Sequence, residues 1–249
     1  MNKKFNKLIE ELNEFVENTR LISRLELRTR IRDLIDKYNV DHLPNNIENE
    51  YDLSLLQYLF NSVVLTPISI SAPSLTEKII HENVYFYYSH TQDNMDELLI
   101  KAFERYSTFA LTKMDGLVKK IFVNANYEIK TSSKNEMLAR KNEDKIKILL
   151  YPSGSTLYRK LESGTEFLDS IIVIPQGATP APYFNIYKKY SDILLIEENV
   201  VLLSNIENDY ISPFIGYPKD KYVTRQLKPD KNIEMIKKRW QSEFSGKDF

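Results

Sequence analysis

The sequence predicts a mixed α/β protein: a central sheet flanked by helices, preceded by an N-terminal helical module. Three observations carry this. Apolar residues recur at helical spacing across residues 3–39. From residue 93 onward the pattern reads helix, strand, strand, helix, strand, helix, strand, the order of helices packed on a sheet. The 249 residues are 42% hydrophobic and 28% charged, which supplies a core without the composition of a disordered chain.

The elements follow in order. Phe5, Leu8, Ile9, Leu12, Phe15 and Val16 form one apolar stripe. Thr19 suits a cap for a second helix carrying Leu21, Ile22, Leu25, Ile31, Leu34 and Ile35. A third helix is expected over Leu53 to Leu65. The β-branched and aromatic run Ile79 to Tyr88 reads as one strand. Asp93 to Leu111 reads as a helix with acids in its first turn. Two strands, Gly116 to Val123 and Tyr127 to Thr131, flank the turn Asn124-Ala125-Asn126. Ser133 followed by Glu136 is a capping-box pattern, so Ser133 to Lys147 is expected to be helical, with Lys145 to Tyr151 as a competing strand. Then come a helical turn at Leu157 to Leu161, a buried strand at Ser170 to Ile174, a helix at Tyr183 to Tyr190, and strands at Asp192 to Ile196 and Val200 to Leu203. A basic helix is expected near Asn232 to Phe244. The expected divisions are a helical module at 1–73, an α/β core at 74–215 and a basic extension at 216–249.

Composition removes several chemistries. The chain has no cysteine, so thiolate nucleophiles, iron–sulfur clusters and disulfides are excluded. His42, His81 and His90 are scattered and make no metal-binding spacing. No phosphate-binding loop or dinucleotide fingerprint is present. The N-terminus shows no signal peptide, and the uncharged stretch Leu53 to Thr76 is broken by Pro67 and Pro73. A cytoplasmic location and no membrane partner are expected.

One segment offers a reaction centre. Asp115 opens the first of the two expected adjacent strands, and Glu128-Ile129-Lys130 lies on the second. Residues two apart on a strand share a face, so Glu128 and Lys130 point the same way. Two carboxylates hold Mg²⁺ through hard oxygens, and a lysine beside them stabilises an attacking water or a negative transition state. Glu104 or Glu97, two helical turns apart with Asp96 behind them, would complete the shell. The same residues also fit a plain turn at Asp115-Gly116 and the solvent face of a strand.

On these residues the segment resembles the PD-(D/E)XK nuclease family, which includes many type II restriction endonucleases. In that family an acid begins one strand of a hairpin, a (D/E)-x-Lys pair sits on the next, and an earlier helix often adds an acid. The resemblance covers roughly residues 93–206. It implies Asp115, Glu128 and Lys130 as catalytic residues, with Asp115, Glu128 and Glu104 on Mg²⁺ (Mn²⁺ as an alternative). Met114 stands where the family often has proline.

Charge adds a partner. The net charge is −1, so nucleic acid would need a local patch. Lys113 to Lys147 holds nine Lys or Arg against five Asp or Glu, including Lys119, Lys120, Lys134, Arg140 and Lys141 around the expected centre. Two readings therefore stand: a Mg²⁺-dependent endonuclease acting on DNA as a homodimer, or a non-enzymatic nucleic-acid-binding or interaction protein on a similar core. A third is a structural oligomer held by the N-terminal helices.

Overall fold

The structure, a computed structural model, describes residues 3–44, 47, 49, 51–64, 75, 77–89, 94–164, 167, 170–193 and 200–244. It is mixed α/β, as expected, and divides into two compact units, Met1–Tyr106 and Ser107–Phe249. Among the described residues no helix is long and apolar enough to cross a membrane.

The first unit begins with α1 (Lys3–Thr19), β1 (Leu21–Ser23), α2 (Arg24–Tyr38) and α3 (Leu55–Val64). Its core joins Phe5, Leu8 and Leu12 of α1 to Leu27, Ile31 and Leu34 of α2 and to Leu59 and Val63 of α3. Helix α2 is capped by Ser23, not Thr19. The Ser23 hydroxyl accepts from the Glu26 amide, and the Glu26 carboxylate accepts from the Ser23 amide. The expected single strand over 79–88 is a hairpin, β2 (Glu77–His81) and β3 (Val84–Tyr88). Glu82 and Asn83 turn it with positive φ at both positions. Strand β3 also pairs with β1, which draws this hairpin into the first unit and sets the division at 106/107 instead of residue 73.

The division falls inside α4 (Met95–Asn124), the longest helix. It runs straight through Gly116 to Val123, where a strand was expected. The physical reason is the long-range period: Ala102, Tyr106, Ala110, Met114, Val118 and Phe122 recur every four residues and are all buried. Burying that stripe overrides the local β propensity of Leu117 to Val123.

The second unit then forms a six-stranded sheet in the order β4-β5-β6-β7-β8-β9. Strands β4 (Glu128–Ser133), β5 (Glu136–Lys141) and β6 (Asp144–Leu150) are an antiparallel meander. The helix expected over Ser133 to Lys147 is absent. Alternation of buried Met137 and Ala139 with Leu138 and Arg140 makes a strand, and Asn142 turns it at φ 56. Helix α5 (Gly154–Glu162), capped by Ser153, leads to β7 (Ser170–Pro175), parallel to β6. Helix α6 (Ala181–Ile193) leads to β8 (Val200–Asn205), parallel to β7. The strand expected over Asp192 to Ile196 is not found where it is described: Asp192 and Ile193 end α6, and residues 194–196 lie outside the described residues. Strand β9 (Tyr210–Ile215) returns antiparallel, and α7 (Lys221–Thr224) and α8 (Lys231–Phe244) follow.

One face of the β6–β9 region packs Leu149, Ile172, Ile174, Val201 and Leu203 with Leu157 and Leu161 of α5 and Ile186 of α6. The other face of the meander carries Met137, Ala139 and Ile148, all buried. Tyr127, which leads into β4 on that second face, meets Phe122 of α4 edge-on at 5.4 Å between ring centres. Phe122 thus ties the end of α4 to that second face, and the first face of the meander carries the exposed Glu128, Lys130, Arg140, Lys145 and Lys147.

Gly116 tests the helix directly. It sits inside α4, and a Cβ added there meets nothing within 4 Å. Gly116→Ala should stabilise the protein by about 0.5–1 kcal/mol, read as a raised urea midpoint, because alanine loses less chain entropy in a helix.

Candidate functional site

Asp115 lies in the middle of α4, not at the mouth of a strand. Its carboxylate pairs with Lys119 one turn on, at 2.7 Å. Nine residues separate it from the last residue of the helix, Asn124. That is about 13 Å of helix axis, after which the chain must still turn before reaching Glu128. A shared cation needs both carboxylates within about 2–2.6 Å of the metal, and this spacing works against it.

Glu128 and Lys130 do share an exposed face of β4, as expected. The neighbouring strand sets Arg140 opposite Glu128 and Leu138 opposite Lys130, so it brings no second acid to them. Glu97 pairs with Lys101 at 2.5 Å, and that hydrogen bond holds its carboxyl below the ordinary range. Glu97 and Glu104 both lie on the part of α4 that belongs to the first unit. Among the described residues no three His, Asp or Glu side chains group closely enough to hold a metal ion. The donor set at Asp115 and Glu128 does not fit Mg²⁺.

The next hairpin, β5–β6, does not carry the expected (D/E)-x-Lys pattern at Lys147. Glu136 opens β5, and Lys147 on β6 lies diagonally across from it with an ion pair at 3.2 Å. The position two residues before Lys147 is Lys145, a cation where that pattern requires an acid.

The register assembles something else. Opposite residues in a ladder share a face, so Glu128, Arg140 and Lys145 form one row and Lys130, Leu138 and Lys147 the next. Lys130, Arg140, Lys145 and Lys147 are all exposed there, with Glu128 and Glu136 as the only acids of those rows and their flank. Lys130, Arg140 and Lys145 make no ion pair with another described residue. Of the other expected cations, Lys134 is exposed in the β4–β5 turn, and Lys119 and Lys120 lie on α4. The strand expected as the alternative over Lys145 to Tyr151 is the one found, as β6, and it sets Lys145 and Lys147 on this face. The alternation Lys145-Ile146-Lys147-Ile148 was the signal for it.

Lys141 points to the opposite side and is engaged. Its ammonium binds Asp220 Oδ2 at 2.8 Å, and the Tyr127 hydroxyl donates to the same oxygen at 3.1 Å. Asp220 Oδ1 accepts from the Tyr222 and Val223 amides at 2.6 and 3.2 Å, capping α7. Burial alone would raise the Asp220 carboxyl, but the hydrogen bonds from Lys141, the two amides and Tyr127 outweigh it and hold it low. Burial first, then the Asp220 charge, pushes the Tyr127 phenol up to about 12, so it remains a donor at any neutral pH. A pocket of about 420 Å³ opens beside this cluster, lined by Tyr127, Asp144, Lys145, Ser170, Lys219 and Asp220 among others.

A second polar knot stands at the far end of the parallel strands. Asp230 accepts from Gln176, Tyr210 and the Asn232 and Ile233 amides at 2.9–3.4 Å. Burial raises its carboxyl and these four bonds lower it, with a net shift downward. Its acceptor sites are spoken for, which fits a structural tie better than a base. The adjoining pocket holds about 250 Å³.

The second unit is thus a mixed-sheet α/β domain that displays one cation-rich strand face and one polar pocket at the sheet end. Residues 86–229 match the C-terminal domain of the DUF6834 family, described as a domain of unknown function, and the chain belongs to that family. No curated protein matches it.

Asp220→Asn should lower stability by about 1–3 kcal/mol at pH 7, because Lys141 loses its partner in a half-buried setting. A carboxyl depressed in the folded state contributes above the ordinary carboxylate range and ceases to as pH falls through its folded value. The difference between the variant and the parent in urea melts should therefore shrink in acid.

Proposed function

We propose that the protein binds nucleic acid by its phosphate backbone, through the exposed face of β4, β5 and β6. One observation supports this above all: strand register sets Lys130, Arg140, Lys145 and Lys147 on one solvent face, three of them without an ion-pair partner among the described residues. Three strands span about 10 Å, so these charges act on neighbouring phosphates together. Such contacts supply affinity and orientation but no sequence reading.

Hydrolysis of DNA phosphodiesters with Mg²⁺ or Mn²⁺ is the second reading. The observation on its side is the Glu136–Lys147 pair on the β5–β6 hairpin, which precedes a helix and a parallel strand. A homodimer belongs to this second reading, because two strands need two cuts; binding through one face needs one copy.

Fluorescence anisotropy with labelled DNA over a salt series separates the cases. Wild type should bind with a steep loss in salt. Lys130→Ala and Arg140→Ala should each flatten the log–log slope by about 1 and weaken binding, whereas Asp115→Ala should leave it unchanged. Absence of binding at low salt would sink the proposal. Plasmid cleavage in Mg²⁺ or Mn²⁺ that disappears in Glu136→Gln or in Glu128→Ala would replace it with the second reading.

A further inference from the structure

The cation-rich face runs to the end of the β5–β6 hairpin, where Arg140 and Lys145 are paired. The C-terminal segment that Asp220 ties to Lys141 carries two exposed aromatic side chains. Tyr222 is 50% exposed and Tyr217 60% exposed. Tyr222 is ringed by cations: Lys141 at 5.1 Å from its ring centre, Lys221 at 5.5 Å and Arg225 at 5.9 Å. Between the two tyrosines run Pro218, Lys219 and Asp220, which form one wall of the 420 Å³ pocket. Lys145 belongs both to the cationic face and to the lining of that pocket. Lys145 thus joins the cationic face to the cavity, and Asp220 on the cavity wall binds the Tyr222 amide.

We infer that the partner is single-stranded nucleic acid, with bases stacked on Tyr222 and Tyr217 and one base entering the pocket beside Tyr127. This rests on the binding reading above and narrows it. In a duplex, base faces are stacked on each other and unavailable; in a single strand they pack on aromatic rings while phosphates track cations. Cations around a ring strengthen the match, because they meet the phosphates on either side of a stacked base. The cavity falls within the range that encloses small planar ligands. Its rim offers a carboxylate at Asp144 and an ammonium group at Lys145, which suit the donor and acceptor edge of an extruded base.

The test compares a labelled oligo-dT strand, the corresponding RNA strand and a blunt duplex of the same length, by anisotropy in one buffer. The full chain should bind either single strand more tightly than the duplex. Tyr222→Ala should weaken single-strand binding about tenfold, the scale of one lost stacking contact, and change duplex binding by less than about twofold. Tyr222→Phe should restore the affinity, since the ring and not the hydroxyl does the stacking. Lys130→Ala should weaken both substrates, which reports on the backbone reading separately. Duplex preferred over both single strands, or equal loss on both substrates in Tyr222→Ala with no rescue by phenylalanine, overturns the single-strand inference while leaving backbone binding in place. No binding to any of the three overturns both.

Discussion

The second unit depends on burying one stripe of α4. Ala110, Met114, Val118 and Phe122 repeat every four residues and are almost wholly buried. A stripe with that spacing has one way to escape water, which is a continuous helix lying on an apolar surface. The Phe122–Tyr127 contact ties the end of the stripe to the side of the meander on which Met137, Ala139 and Ile148 are buried. Once that side is covered, strand alternation leaves no choice about the other. Lys130, Arg140, Lys145 and Lys147 must face water because their neighbours along each strand face the core.

This constraint also decides the fate of Asp115. A residue next to Met114 on a buried stripe can turn outward only over the helix surface, where Lys119 waits one turn away. The pair is an ordinary exposed helical ion pair, of the kind worth a few tenths of a kcal/mol. The two engaged acids that do shape the second unit are Asp220 and Asp230. Each heads a helix, taking amides of its own first turn and side-chain donors from residues distant in the chain. Their depressed acidity reflects that work as ties between the C-terminal segment and the sheet.

Much of the fold was legible and one decisive stretch was not. The helices at both ends, the buried strand after Ser170 and the shared face of Glu128 and Lys130 all follow from local periodicity. Residues 116–123 failed because Gly116, Val118, Ile121 and Val123 look like a strand in a short window. The four-residue repeat is visible only when the window extends back to Ala102. Residues 133–147 failed for the converse reason: a three-residue capping pattern outweighed a longer two-residue alternation. Both misreadings fell around the expected centre, so the cationic face emerged only once the register was known. Asp220 and Tyr222 had no local signal, since their partners Tyr127 and Lys141 are some eighty or more residues away.

Strand β4 is the edge of the six-stranded sheet, bonded to β5 on one side only. Its outer backbone groups are open to any other extended chain, and a bulge interrupts its ladder between Thr131 and Ser133. Exposed edges of this kind invite sheets to join end to end unless charge or irregularity spoils the fit. Glu128, Lys130 and the bulge supply both. Two sheets meeting here in parallel register would set lysine against lysine and glutamate against glutamate, with the bulge breaking the bonding row. The Glu-x-Lys pair thus disfavours that parallel joining, a consequence that involves no ligand.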